Sequence, residues 1–318
     1  MEIVHVPVLP EETVEYLGPR HEGEFMVDAT LGEGGHAHIF LSRFPDLKII
    51  GIDADSAIQE VARERLREFA GRIQYYSGWA QDFFAGFPRD MKRPDTILID
   101  LGVSFYHYER SGRGFSFRKD EYLDMRIDAS RGTSAAELLT RLPERELADL
   151  LYKNAEERFS RRIARNIAAA RSRGTITGSA ALAEIVERSV PPYCRRGKAH
   201  SATKTFQALR IAVNGELDRL GELLEGALKV LAVGGRLGVI TFHSLEDRIV
   251  KNFFREKNRG GCTSPGESPI CEGNTCRVLE ILTRKPVVPA GEEIRNNPAS
   301  RSAKLRVVEK MLDEDDGS

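Results

Sequence analysis

The chain has 318 residues, of which 41% are hydrophobic and 30% are charged, and its net charge is −1. No stretch approaches the roughly 18 consecutive apolar residues of a membrane span. The four cysteines are too few for a disulfide framework, and the first residues lack the basic start and apolar run of a secretory signal. We therefore expect a cytoplasmic globular protein with no membrane partner.

The first part of the chain alternates short apolar strands with helical segments. The strands are predicted at residues 25–29, 48–53, 73–77 and 96–100. Residues 56–70 carry apolar side chains at helical spacing, and Ser56 is predicted to be the N-cap of this helix. This β-α-β-α-β order predicts a parallel sheet with right-handed crossovers.

The alternation stops at about residue 109. Residues 134–188 predict three or four helices, and residues 205–231 predict two more. A strand follows at 234–242, and residues 277–283 and 303–309 predict an antiparallel pair. We therefore expect an α/β domain with an inserted helical domain and a disordered acidic tail, with the bounds 1–108 plus 213–310, 109–212 and 311–318.

Basic residues are concentrated in the helical insertion. Residues 109–212 contain 21 Lys and Arg against 13 Asp and Glu, a net charge of +8, and the rest of the chain is acidic. A basic region within an acidic chain indicates a polyanionic partner such as a nucleic acid. A solvated helical face with intrahelical ion pairs is the alternative.

A glycine-rich turn follows the first strand, in the segment Asp28-Ala-Thr-Leu-Gly-Glu-Gly-Gly-His36, and Asp53 ends the second strand. Glycines let a ligand approach the backbone, and a carboxylate in that position can accept hydrogen bonds from two ribose hydroxyls. The pattern predicts a site for an adenosine-bearing cofactor at the carboxyl edge of the sheet. A tight turn with an N-cap carboxylate is the structural alternative.

The turn differs from the dinucleotide-binding fingerprint. It lacks the third glycine of Gly-x-Gly-x-x-Gly, and it places the acidic Glu33 where a pyrophosphate would bind. S-adenosylmethionine has no phosphate and carries a sulfonium and an ammonium group, so an acidic turn suits it better. Asp100, at the end of the fourth strand, adds a further carboxylate. We therefore predict S-adenosylmethionine as the cofactor.

Nine sequence strings along the chain resemble a single family, the bacterial small-subunit ribosomal RNA (cytosine N-4) methyltransferases (RsmH/MraW). They occupy residues 5–9, 28–36, 100–104, 113–117, 123–126, 156–159, 205–214, 241–251 and 300–307. The resemblance implies a class I, Rossmann-like methyltransferase domain with a helical insertion. It also implies methylation of the exocyclic 4-amino group of a decoding-centre cytidine in 16S rRNA of the small ribosomal subunit. By position, the cofactor contacts fall on Gly34, Gly35, His36, Asp53, Ala80, Asp100 and His107.

The chain departs from the family pattern at three places. Ala80 stands where the family usually has an aromatic residue, and the adjacent Trp79 is an alternative cover for the adenine. His107 stands where glutamine is usual. Phe105 and Tyr106 replace a Ser-Pro pair in a loop that we expect beside the target base, on which aromatic rings can stack.

Asp100 is the candidate catalytic residue. The lone pair of an aromatic amine is delocalised into its ring, and an acceptor aimed at the N–H would localise it and receive the proton. A cofactor contact alone is the alternative. The candidate substrate pocket consists of Ser104, Phe105, Phe242, His243 and Ser244. Alternatively, Ser244 caps a helix with Glu246 and Asp247 in its first turn.

Two basic groups are predicted to contact RNA: Arg158, Arg161, Arg162 and Arg165 on one helix, and Arg195, Arg196, Lys198 and Lys204 in and after a loop. Pairing with Glu156 and Glu157 on the same helix is the alternative for the first group. Three clustered cysteines, Cys262, Cys271 and Cys276, match no common zinc spacing, so no metal is predicted.

The leading interpretation is an RNA methyltransferase. A methyltransferase acting on another nucleic acid or a small molecule, and a non-catalytic ribosome-assembly factor, remain as alternatives. The residues alone leave open which cytidine is modified, whether the substrate is naked RNA or an assembled subunit, and whether the protein is a dimer.

Overall fold

The computed structural model describes residues 6–195, 200–259 and 277–313. Contacts between Cα atoms divide the chain into two compact units. The first unit is formed by Met1–Gly102 and Arg219–Ser318, and the second by Val103–Asp218. The chain thus leaves the first unit after Gly102 and returns to it at Arg219. The second unit therefore extends beyond the expected bounds 109–212 at both ends.

Within the described residues, the first unit is built on a seven-stranded sheet. In chain order its strands are β1 Phe25–Asp28, β2 Lys48–Asp53, β3 Ile73–Ser77, β4 Thr96–Asp100, β5 Arg236–Thr241, β6 Leu279–Ile281 and β7 Lys304–Lys310. The order across the sheet is β3-β2-β1-β4-β5-β7-β6. Strands β1 to β5 pair in parallel, whereas β7 is antiparallel to both β5 and β6. The predicted strands and the closing antiparallel pair are therefore confirmed.

Helices connect the strands and make up the second unit. In chain order they are α1 Pro10–Leu17, α2 Gly35–Arg43, α3 Ser56–Arg65, α4 Ala80–Ala85, α5 Phe105–Glu109, α6 Ala135–Arg141, α7 Glu144–Ala155, α8 Ser160–Arg171, α9 Ser179–Ser189, α10 Pro192–Arg195, α11 Thr203–Asn214, α12 Glu216–Val230, α13 Ser244–Asn258 and α14 Gly291–Asn296. The predicted fold class, an α/β sheet domain with an inserted helical region, is confirmed.

The sheet of the first unit is buried on both faces. Met26 of β1 packs in one core with Phe40 of α2, and its neighbour Val27 packs in another with Leu224 of α12 and Val250 of α13. Successive side chains of a strand point to opposite faces, so helices must cover both sides of a parallel sheet. Because both faces of the sheet are covered, polar side chains of the strands are expected at the strand ends.

The second unit has its own hydrophobic core. Leu139 of α6, Leu151 of α7, Ile163 of α8, Leu182 of α9 and Leu209 of α11 are almost completely buried in it. Each helix contributes an apolar stripe to this core and exposes the opposite face. Arg161, Arg162 and Arg165 are exposed on α8, and Lys204 is exposed on α11.

Two helix N-caps differ from the prediction. Asp55, not Ser56, caps α3, because its carboxylate accepts a hydrogen bond from the backbone N–H of Ala57 at 3.0 Å. His243, not Ser244, caps α13 in a capping box with Glu246. In each case the residue before the serine has the extended backbone that an N-cap requires, and the serine is already helical.

Among the residues that the structure describes, no helix is both long and apolar enough to cross a membrane, and no group of His, Cys, Asp and Glu side chains could hold a metal ion. The three clustered cysteines at 262, 271 and 276 lie outside these residues.

A candidate cofactor site at the carboxyl ends of the strands

Three aspartates end three adjacent strands of the first unit: Asp28 ends β1, Asp53 ends β2 and Asp100 ends β4. The strand β1 lies between β2 and β4, and all three run in the same direction. Their carboxyl ends therefore meet at one edge of the sheet. The result is an acidic cluster at the place where open α/β sheets bind their ligands.

Asp53 is fixed by two backbone hydrogen bonds. Its Oδ2 accepts from the N–H of Gly32 at 2.8 Å, and its Oδ1 accepts from the N–H of Asp55 at 2.8 Å. An ionised carboxylate has about four lone-pair positions. The backbone of the glycine turn and of the start of α3 therefore orients this carboxylate, and its role in holding two ribose hydroxyls stays a prediction.

The turn between β1 and α2 requires glycine at position 34 for structural reasons. Gly34 has φ 74° and is the N-cap of α2, and a Cβ atom there would lie 2.8 Å from Cδ1 of Leu66. Conformation and packing both exclude a side chain at this position. The acidic Glu33 in the same turn is buried. Burial lowers the pKa of Arg65, and the charge of Glu33 partly offsets this effect.

Asp28 was not singled out by the sequence analysis, although it begins the glycine-rich segment. It is buried, and its Oδ1 accepts a hydrogen bond from the N–H of Thr30 at 3.3 Å. Burial raises the pKa of Asp28 to about 7, against the opposing effects of His36 and the Thr30 N–H, and the charges of Asp100 and Asp53 raise it further. The signal that could have identified it is its position at the end of β1, directly before the glycine-rich turn.

His36 and Asp100 face each other within this cluster. His36 Nε2 lies 3.7 Å from Asp100 Oδ2. Asp100 Oδ1 is buried and has no hydrogen-bond partner in the described part of the chain. Buried acceptors are normally satisfied, so this oxygen fits a site for a ligand's ammonium or N–H group. Together with Asp53, it makes the residues present compatible with S-adenosylmethionine.

Trp79 is the aromatic residue at the start of α4, where Ala80 itself offers no ring. Ala80 is buried in the core with Phe84, so a direct cofactor contact there stays a prediction. Trp79 is half-buried, and the guanidinium of Arg219 lies 4.3 Å from its ring centre. The backbone N–H of Gly78, one residue before Trp79, donates to the carbonyl of Asp53 at 2.9 Å.

The predicted substrate-pocket residues divide between the two units. In the second unit, Ser104 caps α5 by accepting from the N–H of Tyr106 at 3.0 Å, and Phe105 is half-buried. His107 is buried, with its ring 5.1 Å from that of Phe115. The cofactor contact of His107 and the substrate contacts of Ser104 and Phe105 stay predictions.

In the first unit, Phe242 and His243 follow the end of β5. Phe242 packs against Gly102, whose Cβ, if present, would lie 3.6 Å from the Phe242 ring. His243 Nε2 is 2.9 Å from Glu246 Oε1, and the N–H of Phe242 donates to Glu246 Oε2 at 2.9 Å. Both His243 and Ser244 thus belong to the start of α13, and a substrate contact by these residues stays a prediction.

The predicted RNA contacts lie in the second unit. Arg161, Arg162 and Arg165 are exposed on α8, whereas Arg158 precedes this helix, so the four do not share it. Glu156 and Glu157 also precede α8, so the alternative of pairing within that one helix does not apply. In the described residues, Arg165 pairs with Glu144 of α7 at 3.8 Å.

Only part of the second predicted basic group, at residues 195–204, lies within the described residues. Lys204 is exposed on α11, and its Nζ donates to the carbonyl of Glu156 at 3.1 Å. Arg196 and Lys198 lie outside the described residues, and so does the side chain of Arg195. The RNA contact of this group stays a prediction.

The strand order, the antiparallel β7 and the acidic strand ends define a class I, Rossmann-like methyltransferase. A family model described as the MraW methylase family matches residues 2–311. This chain belongs to the MraW methylase family. The predicted enzyme class is thereby confirmed, and so is S-adenosylmethionine as the cofactor.

Similar proteins cover the chain almost from end to end. The ribosomal RNA small subunit methyltransferase H of Treponema denticola is 52% identical over 311 residues, which are 98% of this chain and 98% of that protein. The protein of the same name from Citrifermentans bemidjiense is 45% identical, covering 96% of this chain and 98% of its own length. A solved rRNA methylase from Streptococcus thermophilus is 12% identical, with a TM-score of 0.39 and coverages of 95% and 93%. The family assignment rests on the sequence comparisons.

Proposed function

We propose that this protein methylates the exocyclic 4-amino group of a decoding-centre cytidine in 16S rRNA of the small ribosomal subunit. The observation that carries the proposal is the acidic cluster of Asp28, Asp53 and Asp100 at the sheet edge of a chain in the MraW methylase family. Relatives that match over nearly the full length bear the name of small-subunit rRNA methyltransferases. These names support the substrate class.

In this proposal, Asp53 holds the ribose of the cofactor, since its oxygens are already oriented by Gly32 and Asp55. The carboxylate of Asp100 at the neighbouring strand end adds a negative potential that favours a cationic ligand. The turn residues Gly34, Gly35 and His36 line the same edge. S-adenosylmethionine supplies there an electrophilic methyl group on a positively charged sulfur.

Asp100 is our candidate for the group that handles the proton. Its partnerless Oδ1 accepts a hydrogen bond from the amine N–H and localises the nitrogen lone pair. As the nitrogen–carbon bond forms, the carbon–sulfur bond breaks with its electron pair left on sulfur. The N–H proton passes to Asp100 Oδ1. Positioning of the amine in a water-poor site supplies the rest of the rate increase.

The second unit is our candidate for the RNA-binding part. The helix α8 contains four arginines and no acidic residue, and Arg161, Arg162 and Arg165 are exposed on it. Exposed guanidinium groups on one element are suited to a phosphate backbone, with which they form paired hydrogen bonds. The net charge of +8 for residues 109–212 agrees with a large anionic substrate.

The decisive experiment is transfer of a labelled methyl group from S-adenosylmethionine to small ribosomal subunits that lack the modification, followed by nucleoside analysis. Label in N4-methylated cytidine is the expected result. Naked 16S rRNA and free cytidine, tested in parallel, separate an assembled-subunit substrate from simpler ones. The Asp100→Asn variant serves as the matched control, because it keeps the size of the side chain while removing the proton acceptor.

Two outcomes would contradict the proposal. Label in another nucleoside or only in a small molecule would assign the enzyme to a different substrate. Absence of label, together with intact binding of S-adenosylhomocysteine, would favour a non-catalytic assembly factor. For Asp100, equal losses of cofactor affinity and of transfer rate in the Asn variant would exclude a role in proton handling.

A further inference from the structure

A row of three aromatic rings leads from the core of the second unit to its surface. Phe206 on α11 is buried in that core. The ring of Phe117 meets it edge-on, with 5.2 Å between the ring centres. The ring of His200 is stacked on Phe117, with the centres 4.5 Å apart and the planes inclined by 28°. His200 is exposed, so the row ends in a flat ring that the core supports from behind.

The imidazole of His200 is held in one orientation at the start of α11. Its Nδ1 accepts a hydrogen bond from the backbone N–H of Ala202 at 3.2 Å, and its carbonyl accepts from the N–H of Thr203 at 3.0 Å. A ring nitrogen that accepts carries no proton, so this is the neutral ring with its N–H at Nε2. A neutral ring forms no ion pair with a phosphate, and its flat surface is what it offers to an RNA.

The sequence around this ring is basic. Residues 189–215 include five Lys and Arg residues and no Asp or Glu. Among them, Lys204 is exposed on α11, and Arg118, which follows Phe117 in the chain, is exposed as well. Proteins that bind single-stranded nucleic acid combine positive charge along the backbone with aromatic rings on which bases stack. His200 and its basic neighbours supply both of these parts.

We propose that the face of His200 opposite to Phe117 is a stacking site for an unpaired nucleobase of the RNA substrate. This inference rests on the proposed function, which supplies the RNA, and it adds a base contact to the phosphate contacts assigned to the arginines of α8. Every base has a π-face, so a stacking site accepts any of them. The site therefore contributes affinity for single-stranded RNA and does not select the base.

Two substitutions at His200 separate base stacking from a structural role at the start of α11. His200→Phe keeps a flat ring but loses the acceptor for the N–H of Ala202. His200→Asn loses the ring but keeps an acceptor that reaches an N–H two residues further on. We expect His200→Asn to weaken the binding of 16S rRNA roughly 5- to 150-fold, as the loss of one stacked base does. His200→Phe should stay within about threefold of the wild type, because the stacking surface is retained.

The salt dependence of binding distinguishes a stacked base from a phosphate contact. Stacking releases no counterion, so log affinity plotted against log salt should give parallel lines for His200→Asn and the wild type, whereas a lost phosphate contact would reduce the slope by about 0.7. In methyl transfer, His200→Asn should raise KM for the RNA substrate and leave kcat unchanged, because the contact is the same in the ground and transition states. His21→Asn, at an exposed position of the first unit, is the matched control and should change neither affinity nor KM.

The outcomes separate the inference from the proposed function. Wild-type affinity in His200→Asn, or a reduced salt slope in that variant, would overturn the stacking site, and so would a loss in His200→Phe as large as that in His200→Asn. If either variant does not fold, His200→Tyr replaces the Phe variant and His200→Ala replaces the Asn variant under the same criteria. A wild-type protein that binds 16S rRNA but transfers no methyl group would overturn the proposed function, and the binding measurements would still decide the stacking site. A wild type that binds neither 16S rRNA nor small ribosomal subunits would overturn both.

Discussion

The carboxylate of Asp53 accepts a hydrogen bond from the backbone N–H of Gly32 at 2.8 Å, which ties the end of β2 to the turn after β1. Its other oxygen accepts from the N–H of Asp55, the residue that caps α3. One side chain thus connects a strand, a turn and a helix start. A ribose-binding carboxylate in such a setting is already oriented before the ligand arrives, which lowers the ordering cost of binding.

Replacement of Asp53 by asparagine should weaken cofactor binding. The amide keeps the size of the side chain but offers one acceptor oxygen and no charge. Hydrogen bonds to charged groups contribute about 1.5–3 kcal/mol, so the dissociation constant of S-adenosylhomocysteine should rise roughly 10- to 150-fold in calorimetric titrations. Asp46→Asn, at an exposed position before β2, is the control. Equal affinities for both variants would place the ribose elsewhere.

Asp28 should make the stability of the protein depend on pH. Its pKa is raised from 3.8 to about 7, so between these values the unfolded chain has lost a proton that the native state retains. The free energy of unfolding should therefore fall as pH rises through this window, by up to about 1.4 kcal/mol per pH unit, and the loss should be complete above about pH 7.

Asp28→Asn removes this titration. Its free energy of unfolding relative to the wild type should increase from about pH 4 to pH 7 and then level off. Denaturant unfolding of both proteins at several pH values measures the difference, in which the titration of all other groups largely cancels. A difference that is constant across the window would show that Asp28 is ionised in the native state like an exposed aspartate.

Arg161 and Arg162 should contribute to the salt dependence of RNA binding. Each arginine that contacts a phosphate adds about 0.7 to the slope of log affinity against log salt for a single-stranded region. The double variant with glutamine at both positions should therefore bind 16S rRNA more weakly and with a shallower slope. Arg188→Gln is the control, because Arg188 is exposed on α9 and pairs there with Glu184. Equal slopes for the double variant and the wild type would remove α8 from the RNA-binding surface.

Lys310 should be important for stability alone. Its buried Nζ donates to the carbonyls of Leu228 and Leu231 at 2.7 and 3.0 Å, at the end of α12, and pairs with Asp313 at 2.8 Å. Lys310→Met leaves these buried carbonyls unsatisfied and should lower the free energy of unfolding by about 3 kcal/mol. Denaturant unfolding measures this loss, and Lys251→Met, at an exposed position of α13, should cost little.

The strands and their acidic ends could be predicted from the sequence because they are local. A buried parallel strand is a short apolar run, and the residue that ends it is visible in the chain, as for Asp53 and Asp100. Both helix caps were misplaced by one residue, since the choice between Asp55 and Ser56 depends on backbone conformation. Four arginines were assigned to one helix, but α8 begins after Arg158.

By itself, the sequence determined the order of strands and helices, the acidic edge of the sheet, the basic character of the insertion and the family. These depend on local apolar patterns, charge counts and motif strings. The tertiary structure alone decided the burial of Asp28 that raises its pKa, the stacking of His200 on Phe117, and the unequal surroundings of the two Asp100 oxygens. Each of these depends on segments far apart in the chain being packed together, because desolvation and hydrogen bonding act through space and leave no local pattern in the sequence.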